Sequence, residues 1–293
     1  MGRLKPLKEG SCIGIAAPAG PVSKPRFLRG VRNLERAGFS VTYGRDIFSQ
    51  NRYLAGNDAR RSRELAQLLN DPKIDALLFA RGGYGTQRIL PMLKKVRPKI
   101  VVGFSDLTVL LAALWEKWKI PSLYGPMVAT QLREPKVVSR LTRVLSEDNR
   151  LEKQPLKAQK VLRPGKTKGR LLGGCLTLVA SLLGTPYEIN TRGSILFLED
   201  VDEPPHAVDR MMTQLEQAGK LRGVRGIVLG TFRLKNKHFP NEIEKVLRDR
   251  LSRFKGPVLW GVRFGHCPDP AIIPYGGIGR IEGGRLIIEK GIF

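Results

Sequence analysis

The chain has 293 residues, 42% hydrophobic and 26% charged, which is enough to bury a full core in one large domain or two and is unlike a disordered composition. Its three cysteines, Cys12, Cys175 and Cys267, show no CxxC spacing; this argues against a disulfide framework and a zinc ribbon and fits a reducing, cytoplasmic compartment. No run approaches about 18 uninterrupted apolar residues, so no membrane span is expected, and the formal charge of +25 raises the question of an anionic partner.

In chain order, the short apolar run "CIGIAAP" is flanked by Gly and Pro and reads as a first strand, not a signal peptide. "KPRFLRGVRNLERAG" reads as a helix ending at Gly38, and "FSVTYG" as a strand. "NDARRSRELAQLLND" has an Asn/Asp start, apolar positions at helical spacing and a stop before Pro72. "IDALLFA" is a buried strand followed by the glycine-rich "RGGYG", then a helix "TQRILPMLKKV" broken or kinked at Pro91. "KIVVGF" is a strand, "SDLTVLLAALWEKW" a helix, and "SLYGPMVA" a closing strand and loop. This alternation predicts βαβ units on a doubly wound parallel sheet in an N-terminal domain, residues 1–149.

Residues 150–170, "RLEKQPLKAQKVLRPGKTKGR", carry eight basic residues and one acidic, two prolines and no clear period, and read as a basic linker. The charge is not confined there. Residues 1–150 hold 27 basic against 12 acidic residues and residues 151–293 hold 24 against 14, so the excess reads first as a solvated basic surface. No nucleic-acid motif accompanies it. "PGKTKG" lacks the first glycine of a P-loop, and "RGGYG" lacks dinucleotide spacing. Residues 171–293 read as a smaller α+β C-terminal domain. Its elements are a helix "GCLTLVASLLG", strands "SILFLED", "IVLGTF" and "VLWGV", helices around "HAVDRMMTQLEQAG" and "NEIEKVLRDRLSRF", and short terminal strands joined by glycine turns.

Ser105 stands where "VVGF" meets "DLTVLL". It is either a helix N-cap or a nucleophile exposed on a sharp strand-to-helix turn at the carboxyl edge of the sheet. The nucleophile-elbow pattern G-x-S-x-G is half met, because Gly103 is present but Leu107 replaces the second glycine. A serine nucleophile needs a base, and the chain has three histidines. His206 lies in "EPPHAVDR". His238, among Lys and Asn, reads as surface. His266 follows "VLWGV" in a constrained loop before Pro268, a plausible place for a general base. Glu199, where a buried strand emerges, is the candidate orienting acid. Cys175 reads as a packed core thiol, with a lowered pKa at a helix start as the alternative. A dyad of Cys267 with His266 is disfavoured because chain neighbours point oppositely, and His266, Cys267 and Asp269 lack metal-site spacing.

Six segments occur in a set order: "RGGYG", "VVGFSDLT", "LYGPM", "GRLLGGCLTLVASLLGTPYE", "LFLEDVDEPPHAVDRMM" and "GHCPDPAIIPYG". From about Ile13 to about Ile281 they closely resemble the LD-carboxypeptidase family, the muramoyltetrapeptide carboxypeptidases, which also includes the microcin-immunity peptidases. The resemblance implies Ser105 as nucleophile, Glu199 as triad acid and His266 as base, meeting in the cleft between two domains. It implies an oxyanion hole from the amides of Gly83 and Asp106, no metal and no cofactor. It further implies a homodimer acting on murein tetrapeptides by cutting the bond from an L-centre to the terminal D-alanine. Arg81 is a candidate for the substrate's terminal carboxylate, a structural ion pair being the alternative, and Tyr84 beside it is a candidate substrate contact. Two other functions stay open: microcin-type hydrolysis of a peptidyl-nucleotide, and a non-catalytic basic module binding anionic glycan, peptide or nucleic acid. A binding module would leave Ser105, Glu199 and His266 apart.

Overall fold

The computed structural model describes residues 4–146, 155–234 and 241–293. The first half runs β1 (Cys12–Ala16), α1 (Lys24–Arg36), β2 (Ser40–Tyr43), α2 (Asp58–Asn70), β3 (Ala76–Phe79), α3 (Thr86–Ile89), β4 (Ile100–Gly103), α4 (Thr108–Trp118), β5 (Ser122–Tyr124) and α5 (Pro135–Leu145). The second runs β6 (Leu156–Lys157), β7 (Lys160–Arg163), β8 (Thr167–Cys175), α6 (Leu176–Ser181), β9 (Ser194–Val201), α7 (Pro205–Gln217), β10 (Gly226–Arg233), α8 (Glu242–Arg250), β11 (Val258–Trp260), β12 (Ile273–Tyr275), β13 (Ile278–Glu282) and β14 (Arg285–Lys290).

Strands β1 to β5 are parallel in the order β2-β1-β3-β4-β5. Every residue of β3 and β4 is buried, as expected when helices cover both faces of a sheet. This is a doubly wound order, and such sheets form ligand crevices outside the carboxyl ends of their strands. Helix α2 starts where the Asn57 side chain accepts from the Arg60 amide at 2.8 Å and stops at Asp71, before Pro72. Pro91 limits α3 to Thr86–Ile89, after which the chain tightens into a 3₁₀ turn. The first seven residues of α4 are all buried, because the helix lies between its own sheet and the second half.

The second sheet has the order β6-β14-β13-β8-β9-β10-β11-β7. Its centre, β8 to β11, is parallel, and its flanks are antiparallel. Two expectations need correction here. The stretch read as a linker is structured from residue 155 onward: β6 and β7 form the two edges of the sheet, and β8 runs through it. Its lysines are paired along the way, Lys160 with Glu244 at 2.7 Å, Lys166 with Glu282 at 2.5 Å and Lys168 with Glu289 at 2.5 Å. Residues 150–154 of that stretch lie outside the described residues. Also, β12 leaves the second half and pairs antiparallel with β5, closing the edge of the first sheet, so the two halves share a strand. Helix α5 was not anticipated, although Val137, Val138, Leu141, Val144 and Leu145 line one buried face.

Candidate active site

Strand β4 ends at Gly103, Phe104 is extended, and the chain turns sharply into Ser105–Leu107 and α4. Ser105 has φ +62°, a left-handed conformation costing a non-glycine residue roughly 1–2 kcal/mol. That strain aims the side chain off the sheet edge instead of into the helix, and the cap positions of the turn and of α4 fall to Phe104 and Leu107, not to Ser105. Its Oγ lies 3.1 Å from Nε2 of His266. The helix-cap reading of Ser105 is therefore set aside.

Glu199 belongs to the second sheet, near the carboxyl end of β9, and is fully buried. Its Oε2 accepts from the backbone amide of His266 at 3.0 Å and lies 2.7 Å from Nδ1 of the same residue. Gly265, at φ +80°, makes this approach possible, since a β-carbon there would fall inside the carboxylate. Oε1 accepts from the Tyr124 hydroxyl at 2.6 Å. Burial alone would lower the His266 pKa, but the Glu199 hydrogen bond and charge, with Asp200 and Asp202 adding to them, hold it above its ordinary value. A proton on Nδ1, donated to Glu199, leaves the Nε2 lone pair facing Ser105. The three residues thus converge across both halves of the chain.

The glycine-rich loop after β3 faces the same point. A β-carbon on Gly82 would stand 2.9 Å from both Cβ and Oγ of Ser105 and 3.5 Å from the Asp106 amide nitrogen. The loop is anchored from below. Asp106 is buried and accepts from the Thr86 amide at 2.9 Å, and burial pushes its carboxyl above the usual carboxylate range. Arg61, with no exposed surface, donates to the carbonyls of Gly85, at 2.8 Å, and Pro18. Arg81 is exposed; its Nε donates to Gly82 O at 3.1 Å and its Nη1 to Pro21 O at 3.4 Å. Tyr84 is 50% exposed and pairs with exposed Tyr53, ring centroids 6.0 Å apart.

The remaining candidates fall elsewhere. Cys175 is buried and its thiol is pushed well above its usual value, by burial first and then by the Asp200 carboxylate, which is the packed-thiol reading. Burial also raises Cys267. His206 is exposed on α7, and His238 lies outside the described residues. Sequence reasoning missed Tyr124, which reads as a core aromatic in "SLYGPM", and Asp200, which accepts from both the amide and the hydroxyl of Thr177.

The LD-carboxypeptidase N-terminal domain profile matches residues 13–125, and the LD-carboxypeptidase C-terminal domain profile matches residues 168–281. The chain is 34% identical to the probable murein peptide carboxypeptidase of Bacillus subtilis, over 98% of this chain and 94% of that protein. It is 29% identical to the microcin C7 self-immunity protein MccF of Escherichia coli, over 92% and 90%. A solved muramoyltetrapeptide carboxypeptidase from Oxalobacter formigenes superposes with a TM-score of 0.83 at 28% identity, covering 96% of this chain and 99% of that one.

Proposed function

The chain belongs to the LD-carboxypeptidase family, and on that premise we propose that it is a serine carboxypeptidase releasing the terminal D-alanine of murein tetrapeptides. The observation that carries this reading is the hydrogen-bonded line from Ser105 Oγ through His266 to Glu199, at 3.1 and 2.7 Å. It is the nucleophile, base and orienting acid of acyl transfer.

In the proposed reaction Ser105 Oγ attacks the carbonyl carbon of the diamino acid while Nε2 of His266 takes the hydroxyl proton. The carbonyl oxygen becomes an oxyanion, for which the amides of Gly83 and Asp106 are the proposed donors. Collapse breaks the C–N bond. His266 returns its proton to the departing amine, D-alanine leaves, and a seryl ester remains. Water then attacks the ester, again deprotonated by His266. The Ser105 oxygen recovers the proton, and tripeptide is released with a new carboxylate. Glu199 keeps His266 in the required tautomer and stabilises the imidazolium formed in each step. The exposed guanidinium of Arg81 is the proposed partner of the free terminal carboxylate. The same three residues would also open a peptidyl-nucleotide, and the overall likeness to MccF keeps that substrate class in the test.

Purified protein incubated with disaccharide-tetrapeptide, followed by mass spectrometry, should convert it to tripeptide with loss of one alanine. Pentapeptide and an all-L control should resist. Equal release from the all-L peptide would make this a general carboxypeptidase. Turnover of a peptidyl-nucleotide alone would favour the microcin-type reading. Tight binding without cleavage would favour a binding module.

A further inference from the structure

Strand β5 ends beside the elbow with Tyr124, which is 1% exposed. Its ring is walled by Phe104, Phe197 and Phe264 in edge-to-face contacts with centroids 6.0, 5.3 and 6.4 Å away. A phenol in such an aromatic cage needs a partner for its hydroxyl. The partner is Glu199 Oε1 at 2.6 Å, the short distance of a charge-assisted bond. The Ser105 amide points at the same hydroxyl, 3.5 Å away. One hydroxyl from the first half therefore touches both the acid of the second half and the backbone of the strained serine.

The two carboxylate oxygens are divided between partners: Oε1 takes the Tyr124 hydroxyl, and Oε2 takes the backbone amide and Nδ1 of His266. We propose that Tyr124 is a positioning residue for Ser105, His266 and Glu199: its hydroxyl pins Oε1 and so presents Oε2 to the imidazole. The proposal rests on the serine-peptidase reading above. Tyr124 does not touch the reacting atoms. Without its hydroxyl, the terminal torsion of Glu199, intrinsically broad, is held from one side only. A buried carboxylate oxygen is also left unpartnered, which is costly in a low-dielectric site. Burial, and then the Glu199 charge, hold the phenol well above its ordinary pKa, so Tyr124 stays a donor throughout the working range.

The direction of the effect follows from charge. A carboxylate that loses a donor on one oxygen presents more negative charge on the other. Imidazolium is then held more tightly, and His266 keeps its proton to higher pH. The charged and titratable groups acting on His266 are Glu199 and Asp200 from β9 and Asp202 just beyond it, with the Ser105 hydroxyl facing from the elbow. Those acting on Tyr124 are Glu199 and the Cys175 thiol at the end of β8. None of these is removed by Tyr124→Phe.

The test uses the full chain, with Tyr124→Phe and with 3-fluorotyrosine incorporated at position 124. Two readouts are taken against pH: kcat/KM on disaccharide-tetrapeptide, and the titration of His266 by NMR, which is resolvable because the chain has only three histidines. In Tyr124→Phe the acid limb and the His266 midpoint should both move up, by about half a unit or more, and kcat should fall about tenfold. Fluorotyrosine, a stronger donor, should move both down, and it keeps the test open where the Phe variant does not fold. A natively folded variant with both midpoints unmoved would overturn the proposal, whatever its kcat. A shifted His266 midpoint in a protein that cleaves no muropeptide would uphold the positioning role and sink the hydrolase reading instead.

Discussion

Gly82→Ala tests whether the glycine-rich loop and the nucleophile are packed as tightly as they need to be for chemistry. The new methyl carbon would stand 2.9 Å from Cβ and Oγ of Ser105, whereas carbon atoms settle at about 3.5–4.0 Å. Something must therefore give by roughly 0.6 Å. The Ser105 backbone is already strained at φ +62°, and Gly82 is tied through its carbonyl to the Gly20 amide at 3.3 Å. The shift accordingly falls on the serine side chain and its 3.1 Å bond to His266, stretching it toward about 3.6 Å, where a hydrogen bond is effectively lost. A misplacement near 1 Å costs on the order of a hundredfold in rate, so kcat should drop by about 10- to 100-fold, equivalent to roughly 1.4–2.7 kcal/mol of barrier. Overpacking by one methyl should also lower stability by about 1–3 kcal/mol. The assay is kcat and KM for alanine release, with a thermal melt alongside. A variant with wild-type kcat and wild-type Tm would show that the loop stands away from the nucleophile and would refute this account of the elbow.

Four further outcomes are expected. Ser105→Gly should abolish turnover, yet raise the unfolding free energy by about 1 kcal/mol, because glycine adopts φ +62° without strain; a destabilised Ser105→Gly protein in denaturant melts would mean the elbow stores no strain. His266 must be neutral to take the serine proton, and its pKa is raised, so kcat/KM should climb through an acid limb above about 6.5. By linkage, its proton stabilises the fold below about pH 6.5, and that contribution disappears as pH rises through the folded pKa; the Tm gap between wild type and His266→Ala, measured from pH 5 to 8, should narrow accordingly. Finally, if the net charge of +25 steers carboxylate-bearing substrate, kcat/KM should fall with added salt while kcat stays level, over a screening length of about 8 Å at physiological ionic strength; a salt-independent kcat/KM would return the charge to a purely solvating role.

Ser105, Glu199 and His266 could be picked out as candidates from local pattern: Ser105 where an apolar strand gives way to a helix, Glu199 near the carboxyl end of a buried strand, and His266 in a loop before Pro268. The central strands of the first sheet, β1, β3 and β4, were legible because they are short apolar runs between helices. Strands β6 and β7 were not, because they are sheet edges, where charged side chains are tolerated and discourage further pairing. In β8, Gly169, Gly173 and Gly174 interrupt the apolar signal. Gly173 is required by its neighbour, since at φ +139° any β-carbon would run into the Phe197 carbonyl. Tyr124 was illegible for another reason. Its hydroxyl partner lies 75 residues further along the chain, and an apolar run containing one tyrosine reads as core. Helix α5 is different, because Pro135 at its start and its 3.6-residue apolar spacing were available signals.

The shared strand decides how the site is held. A site assembled from two halves invites a hinge, with the cleft opening between them. Here β12 leaves the second half to pair with β5 of the first, directly after the loop carrying His266. The same loop is gripped from the other side: Arg140 of α5 donates to the Pro270 carbonyl at 3.0 Å and to the Asp269 carboxylate at 3.0 Å. At the end of β8 the Cys175 amide donates to the Thr108 hydroxyl of α4 at 3.1 Å, beside the elbow. Rigid separation of the halves would have to break this ladder, this ion pair and this bond together. Motion that admits substrate is therefore expected in the loops around the site, including the turn bearing Tyr53 and the loop bearing Tyr84, and not in the strands that hold the three side chains in register. The arrangement suits acyl transfer, in which a displacement of a fraction of an ångström between serine and histidine costs more than the gain from a wider cleft.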